Sequence, residues 1–171
     1  MNILVGIALM FSPFISADDD LKVKAEGVKI DFLTDIQNTS GTIGGFEATI
    51  HFNPEKLSES RITGTVDVAT LSTGNNKRDD HLKSDDYFSA EKHPKMSFSS
   101  LGFETKGDMF VMNGKLKIED VEHDEMVSFS FKDNIFKGEM NIRLSNYDVG
   151  NFSKKKPEKT NVKINFLIPV A

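Results

Sequence analysis

One segment is dense in ionisable side chains: "STGNNKRDDHLKSDDYF", which runs from Ser72 to Phe88. The segment contains one Arg, two Lys, one His and four Asp, and β-like sequence flanks it on both sides. These residue types supply general acids and bases, metal ligands and ion pairs. A catalytic site, a metal site and a polar lid are therefore the three hypotheses to compare.

The spacing of these residues favours neither catalysis nor metal binding. Asp79, His81 and Asp85 could supply three metal ligands, but the next histidine, His93, lies well beyond them. A serine nucleophile in a G-x-S-x-G elbow is not available, because the chain lacks that motif. A glycosidase-like pair of carboxylates stays open, because a sequence does not give their separation. We therefore predict no catalytic residue and no metal ligand, and interpret the segment as a charged lid.

Local signals predict how this lid folds. Asn75 or Asn76 is suited to cap a short helix, and Ser84 is suited to cap a second helix with acidic residues in its first turn. Two aromatic residues after Ser84 would hold the lid on the sheet, and Pro94 would end it. The residues predicted to form the lid are Arg78, Asp79, His81, Leu82, Asp86, Tyr87 and Phe88.

An internal ion pair is expected to hold the lid together. Arg78 is predicted to pair with Asp79 or Asp86, since the guanidinium fork suits a carboxylate, and His81 is predicted to hydrogen-bond within the lid. The competing hypothesis is that Arg78 or His81 contacts the polar headgroup of a ligand at the mouth of the fold.

Composition limits the remaining function classes. The 171 residues are enough for one domain with a substantial core, and the absence of Cys excludes disulfides and thiolate chemistry. The net charge is −5, and the basic residues are scattered among acidic ones, so we predict no nucleic-acid partner. Fourteen Phe and no Trp indicate an interior that is apolar throughout.

The first seventeen residues, "MNILVGIALMFSPFISA", carry no charge, and three Asp follow them directly. This pattern predicts a signal peptide over residues 1–17 and a mature domain over residues 18–171, in the periplasm or secreted. The alternatives are a buried N-terminal strand or helix and a permanent anchor, although a span needs about twenty apolar residues. No stable membrane span is expected once the signal peptide is removed.

Apolar and polar residues alternate along most of the remaining chain. Val28, Ile30 and Phe32 alternate with Lys29 and Asp31, and comparable runs occupy 46–52, 62–68, 96–99, 110–118, 127–131, 136–144 and 162–170. With a short strand near 21–25, this predicts about eight or nine antiparallel strands. The stretches "NTSGTIGG", "ETKGD" and "FKDNIF" are predicted to be hairpin turns. A two-sheet sandwich and a closed barrel both fit, and the barrel is favoured because closure removes edge strands.

The inward face of the predicted barrel combines large apolar residues with glycines. Gly64, Gly114 and Gly138 fall in phase with the apolar positions, where they either mark bends or leave a hollow for a ligand. If they leave a hollow, replacing such a glycine by Leu should block the ligand without unfolding the barrel. The residues predicted to line the hollow are Phe32, Phe46, Ile50, Val66, Phe98, Phe110, Met112, Phe129, Met140 and Phe166.

The segment "DVATLSTGNNKRDDHLKSDDYFSAEKHPKMSFSS" resembles the central motif of the YceI-like family, lipocalin-like bacterial proteins also called polyisoprenoid-binding proteins. The upstream "GTIGGFEATIHFNPEKLSES" and the late "LSNYDVG" also fit, so the resemblance covers roughly 27–170. The matching positions of the central motif are Asp67, Thr73, Gly74, Asn75, Arg78, Asp79, His81, Leu82, Asp86, Tyr87, Phe88, Pro94, Phe98 and Ser100.

This resemblance implies an all-β fold, an extended antiparallel lipocalin-like β-barrel of about eight strands with a short helical insert. It also implies that the barrel holds a long apolar chain, an isoprenoid quinone or similar amphiphile, for transport or sequestration. No other cofactor is expected. The alternative function is a structural or stress-related interaction protein whose barrel is filled by its own side chains. The sequence leaves a homodimer open.

Overall fold

The computed structural model of the protein describes residues 20–150 and 155–171, in which eight antiparallel strands form a closed barrel. Each strand pairs with the next in the chain, and the first pairs with the last. The predicted barrel is confirmed, and the sandwich is excluded. The strands are β1 (Lys29–Thr34), β2 (Thr39–His51), β3 (Arg61–Ser72), β4 (Lys95–Lys106), β5 (Met109–Ile118), β6 (Val121–Lys132), β7 (Ile135–Arg143) and β8 (Asn161–Pro169).

Two of the three predicted turns are correct. The "ETKGD" and "FKDNIF" stretches join β4 to β5 and β6 to β7, and Asp133 and Asn134 both have the positive φ that suits a two-residue hairpin turn. The third prediction is wrong, because "NTSGTIGG" forms the first half of β2. Its pairing with β3 shifts register around Gly44, and Gly45 has φ +64°. These glycines therefore form bulges that bend a long strand instead of reversing the chain.

The predicted strand near residues 21–25 is reduced to two isolated bridges, Leu21 with Ile50 and Val23 with Val170. The backbone of Lys22 also exchanges hydrogen bonds with Ala171, at 2.9 and 2.8 Å. This segment lies across the barrel end from which β3, β5 and β7 start.

Aromatic rings fill that end of the barrel, which we call the floor. Five Phe rings surround Phe52 with centroid distances of 5.2–5.9 Å, four of them edge-on. We call this set the Phe52 cluster; its members are Phe52, Phe103, Phe110, Phe129, Phe131 and Phe136. Aromatic edge-to-face packing of this kind is favourable beyond the burial of area.

Rings from neighbouring strands cover the glycines in the wall, which corrects the expectation of a hollow at Gly114 and Gly138, whereas Gly64 lines the cavity. A Cβ at Gly114 would lie 2.2 Å from Cζ of Phe98, and one at Gly138 would lie 2.7 Å from Cζ of Phe166. At Gly64 the Phe46 ring would be 3.1 Å away. A Phe ring therefore lies close over each of these glycines, an arrangement that covers the backbone of the strand.

The opposite end of the barrel, which we call the mouth, carries the long connections. Residues 73–94 join β3 to β4 and contain helix α1 (Asn76–Lys83); we call this segment the lid. The β7–β8 connection also lies at the mouth. No helix within residues 20–150 and 155–171 is both long and apolar enough to cross a membrane. The predicted signal peptide, residues 1–17, lies outside the described residues.

Candidate functional site

A cavity of about 490 Å³ occupies the barrel between the floor and the mouth. All eight strands contribute to its wall, which is almost entirely apolar. Its volume lies within the range of pockets that hold small organic ligands, about 300–1,000 Å³. The alternation along each strand produces this wall, because alternate side chains point to the barrel axis.

Nine of the ten residues predicted to line the hollow lie on the cavity wall: Phe32, Phe46, Ile50, Val66, Phe98, Met112, Phe129, Met140 and Phe166. The placement predicted for Phe110 is wrong, because its ring packs against Phe52 at 5.2 Å and Phe129 at 5.5 Å within the floor. The role of the nine wall residues as ligand contacts stays a prediction.

Further wall residues share the same inward phase, so the alternation could have identified them. They are Ile30, Ile62, Met96, Leu116, Ile118, Val127, Phe136, Ile142, Val162, Ile164 and Ile168. The polar wall residues at the mouth, Thr34, Gln37 and Thr39, come from β1, β2 and the turn between them. Their position depends on how that turn folds, which the alternation does not report.

The lid has one of its two predicted helices. Asn75 caps α1, and its side chain accepts a hydrogen bond from the N–H of Arg78 at 3.1 Å. The predicted second helix at Ser84 is wrong, since residues 85–88 form a turn. The N–H of Phe88 donates to the carbonyl of Leu82 at 3.0 Å, which brings the chain back over α1.

Three lid residues close the cavity at the mouth. Leu82, Tyr87 and Phe88 line it, and Phe88 is buried in a cluster with residues of β3 and the β7–β8 connection. A Cβ at Gly150 would lie 2.7 Å from Cε1 of Tyr87, so the β7–β8 connection contacts the lid directly. The mouth is therefore covered from two sides.

Asp79 fixes α1 to the end of β3. Its carboxylate is only 6% exposed and accepts hydrogen bonds from the Thr73 N–H (2.8 Å), the Thr73 hydroxyl (2.5 Å) and the Ser72 hydroxyl (3.3 Å). The hydrogen bond from the Thr73 side chain is the main reason why the pKa of Asp79 is lowered from its ordinary value of 3.8, against the opposing effect of burial. Asp79 is therefore ionised at neutral pH.

The predicted ion pair of Arg78 with Asp79 or Asp86 is wrong in this structure. The Arg78 Nε donates to the Thr73 hydroxyl at 2.8 Å, and Nη2 donates to the Thr73 carbonyl at 3.0 Å. Asp79 is engaged by donors at the end of β3, and Asp86 lies 3.5 Å from Nε2 of His81. His81 therefore lies near a carboxylate of the lid at ion-pair distance, without the predicted side-chain hydrogen bond, and contacts the Tyr87 ring edge-on at 5.0 Å.

Sequence reasoning missed a polar contact on the β6 side of the mouth. Tyr147 is fully buried, and its hydroxyl donates to Oε1 of Glu125 at 2.8 Å. Burial and this hydrogen bond raise the pKa of Tyr147 well above its ordinary range. His123 packs edge-on against the same ring at 5.2 Å. Within the described part of the chain, no group of three or more His, Cys, Asp or Glu is arranged to hold a metal ion.

The fold and site define a class of protein: a closed antiparallel barrel with an apolar cavity beneath a helical lid. A family model described as "YceI-like domain" matches residues 21–170, and the chain belongs to this family. A UPF0312 protein of Photorhabdus laumondii is 33% identical over 81 residues, which is 47% of this chain and 42% of the relative. The chain spans less than two thirds of the length of the curated relatives that it matches, 42% of this one and 64% of protein YceI from Escherichia coli O6:H1.

Several solved structures resemble the described barrel. BcnA of Burkholderia cenocepacia superimposes with a TM-score of 0.79 at 25% sequence identity, covering 88% of this chain and 99% of BcnA. A polyisoprenoid-binding domain from Saccharophagus degradans superimposes with a TM-score of 0.61 at 11% identity, covering 87% of this chain and 95% of that domain. At this low identity the second likeness shows the fold alone.

Proposed function

We propose that this protein binds one long-chain amphiphile without forming a covalent bond, with the apolar chain inside the barrel. The observation that carries the proposal is the cavity of about 490 Å³ with a wall built by apolar residues of all eight strands. An isoprenoid lipid or quinone is the expected class of ligand. The polyisoprenoid-binding domain from Saccharophagus degradans, which shares this fold, supports that choice.

The hydrophobic effect supplies the driving force for such binding. Each buried CH₂ contributes about 0.8 kcal/mol, so a tail of about ten carbons gains roughly 8 kcal/mol before the costs of ordering and association. An aromatic and aliphatic wall needs no hydrogen-bond partner from the chain of the ligand. Affinity should therefore rise with tail length until the cavity is full.

The two ends of the barrel are expected to orient the ligand. The Phe52 cluster fills the floor, whereas the polar side chains of the cavity wall lie mostly toward the mouth. The tail end would therefore lie against Phe129 and Phe136, and the headgroup would lie beneath the lid. Transport or sequestration of the amphiphile is the role that we propose for this arrangement.

Export to the periplasm or the cell exterior is part of the proposal. It is supported by the uncharged segment at residues 1–17 and the three Asp that follow it. Protein recovered from its native host should then begin near Asp18, and an intact Met1 would contradict export.

The alternative, a structural or interaction protein with a side-chain-filled barrel, predicts no such internal space. The cavity argues against it. Native mass spectrometry of protein purified without detergent tests the two functions directly. A bound amphiphile supports the proposal; a ligand-free protein that also fails to take up added isoprenoid lipid supports the alternative.

A matched pair of variants separates binding in the cavity from adsorption on the surface. Val66→Phe adds a ring to the cavity wall, whereas Thr63→Phe adds the same ring to the outer face of the same strand. We expect Val66→Phe to reduce ligand occupancy at least tenfold with the barrel still folded, and Thr63→Phe to keep it. Equal binding by both variants would contradict the proposed site.

A further inference from the structure

We propose that the amphiphile bound by this protein has an anionic headgroup, and that Arg78 is the residue that binds it. This inference rests on the proposed function, because it concerns the polar end of the same ligand. It starts from a cation on a mostly apolar cavity wall. Arg78 lies on that wall near the mouth, on the first turn of α1.

The guanidinium of Arg78 has unused hydrogen-bond donors. An arginine side chain carries five N–H donors. The Nε–H and one Nη2–H donate to Thr73, at 2.8 and 3.0 Å, which leaves the two N–H groups of Nη1 and one of Nη2. In the described part of the chain, no carboxylate lies within 4.0 Å of this guanidinium.

The charges around the cavity favour an anion. Among the described residues, the cavity wall includes Arg78 and His81 but no Asp or Glu. Two acidic residues of the lid have partners away from the cavity, since Asp79 accepts from Ser72 and Thr73 and Asp85 pairs with Lys92. A third, Asp86, lies 3.5 Å from Nε2 of His81, so Arg78 is the cation on the wall that keeps no carboxylate partner among the described residues. A headgroup beneath the lid would therefore meet positive charge with no carboxylate on the wall to repel it.

Asp79 and Thr73 hold the guanidinium in a fixed orientation. Because Asp79 is ionised, its carboxylate can only accept, so the Thr73 hydroxyl must donate its proton to Asp79. The lone pairs of that hydroxyl are then free to accept from Nε of Arg78. The guanidinium of Arg78 is thus oriented before any ligand binds, which lowers the entropic cost of binding the headgroup.

A fixed guanidinium fork suits a carboxylate or a phosphate, which can accept two parallel hydrogen bonds. With an anion both the donor and the acceptor are ionised, so the Arg78 hydrogen bonds gain an ion-pair attraction that a neutral alcohol or ketone does not supply. Thr34, Gln37 and Thr39, also on the cavity wall, offer further polar contacts at the mouth. The shared ligand chemistry is therefore an anion on a long apolar chain, supplied by a fatty-acid-like carboxylate or by a prenyl phosphate.

Three ligands with the same chain and different headgroups test this inference. Farnesol, farnesoic acid and farnesyl monophosphate are titrated into detergent-free protein, and the dissociation constants are measured by calorimetry. We expect the wild-type protein to bind at least one of the two anions roughly tenfold or more tightly than farnesol. The tighter of the two anions identifies the carboxylate or the phosphate as the source.

Variants assign the effect to Arg78. Arg78→Gln should remove the advantage of the anions, so that the three affinities fall within about threefold of one another, and Arg78→Lys should keep part of it. Lys77→Gln is the matched control, because it removes the same charge from an exposed neighbour on α1 that does not line the cavity. It should keep the preference. Melting temperatures without ligand verify that each protein is folded. If Arg78→Gln does not fold, Arg78→Lys replaces it as the test variant.

The outcomes separate this inference from the proposed function. If the wild-type protein binds all three ligands equally and Val66→Phe weakens them all, the cavity binds the chain and the anionic headgroup is excluded. If Lys77→Gln removes the preference as fully as Arg78→Gln, general charge and not Arg78 is responsible. Equal loss of all three affinities in Arg78→Gln would assign Arg78 a structural role. If the wild-type protein binds none of the three, the proposed function itself is contradicted.

Discussion

Buried polar residues at the junction of β3 and α1 determine how the lid is attached. Asp79 was expected to pair with Arg78, but its carboxylate instead accepts two hydrogen bonds from Thr73 and one from Ser72. Arg78 is attached to the same threonine from the other side. A sequence shows that Arg and Asp are adjacent, but it does not show that a backbone N–H competes for the carboxylate.

The lowered pKa of Asp79 predicts a contribution to stability that depends on pH. A carboxylate whose pKa is lower in the folded state stabilises the protein above its unfolded pKa of 3.8, and this contribution is lost as the pH falls through the folded value. Asp79→Asn should therefore lower the melting temperature at neutral pH and show a smaller difference from the wild type in acid. Asp80→Asn, at an exposed neighbour, is the control. Parallel melting curves of wild type and Asp79→Asn between about pH 7 and about pH 3 would contradict this.

At the scale of elements, the alternation predicts strands and their inward faces but not depth along the barrel. Phe110 points inward like a wall residue, but it lies in the floor. The alternation could not show this, because it gives no position along the barrel axis. The stretch from Asn38 to Gly45 uses the residues of a turn, and Gly and Ser serve bulges equally well. Ser84 has the pattern of a residue that caps the start of a helix, but no second helix forms. The hydrogen bond from the Phe88 N–H to the Leu82 carbonyl turns the chain back over α1 instead. Tertiary contacts decided each of these cases.

The close contact between a glycine and a phenylalanine ring of the neighbouring strand predicts the effect of filling a glycine site. A Cβ at Gly114 would lie 2.2 Å from the Phe98 ring and 2.6 Å from the carbonyl of Ser99, so both the ring and the backbone would have to move. We expect Gly114→Ala to lower the free energy of unfolding by about 1–3 kcal/mol, measured by urea denaturation.

Gly102→Ala is the matched control for this experiment, because nothing lies within 4 Å of a Cβ built there and the strand is the partner of β5. It should change the stability little. If Gly114→Ala were as stable as Gly102→Ala, the ring would not be held over the glycine. The earlier expectation that a larger residue at this site blocks a ligand without unfolding the barrel would then regain support.

The whole molecule is a barrel with two different ends, and this difference predicts where a ligand enters. The floor is filled by the Phe52 cluster, whereas the mouth is covered by the lid and the β7–β8 connection, which meet where the Tyr87 ring lies against Gly150. Since the chain has no Cys, a single introduced thiol can report on either end. Ile36→Cys places it on the cavity wall at the mouth, and Met109→Cys places it at the floor.

We expect farnesyl monophosphate to slow the reaction of a maleimide with the Ile36→Cys protein by at least about fivefold, because the proposed orientation puts the headgroup beside that position. The Met109→Cys protein should react at the same rate with and without ligand. Protection of the floor thiol together with free reaction at the mouth would reverse the proposed orientation of the ligand.

The pairing of Lys22 with Ala171 has a practical consequence for handling the protein. Because these two residues exchange backbone hydrogen bonds across the floor, both ends of the barrel domain emerge on the side remote from the lid. A fusion partner or surface attachment joined after Ala171 would therefore project away from the mouth. Protein immobilised in this way presents its opening to solution, so that loading and release of a guest molecule can be followed on a sensor chip without steric interference from the support.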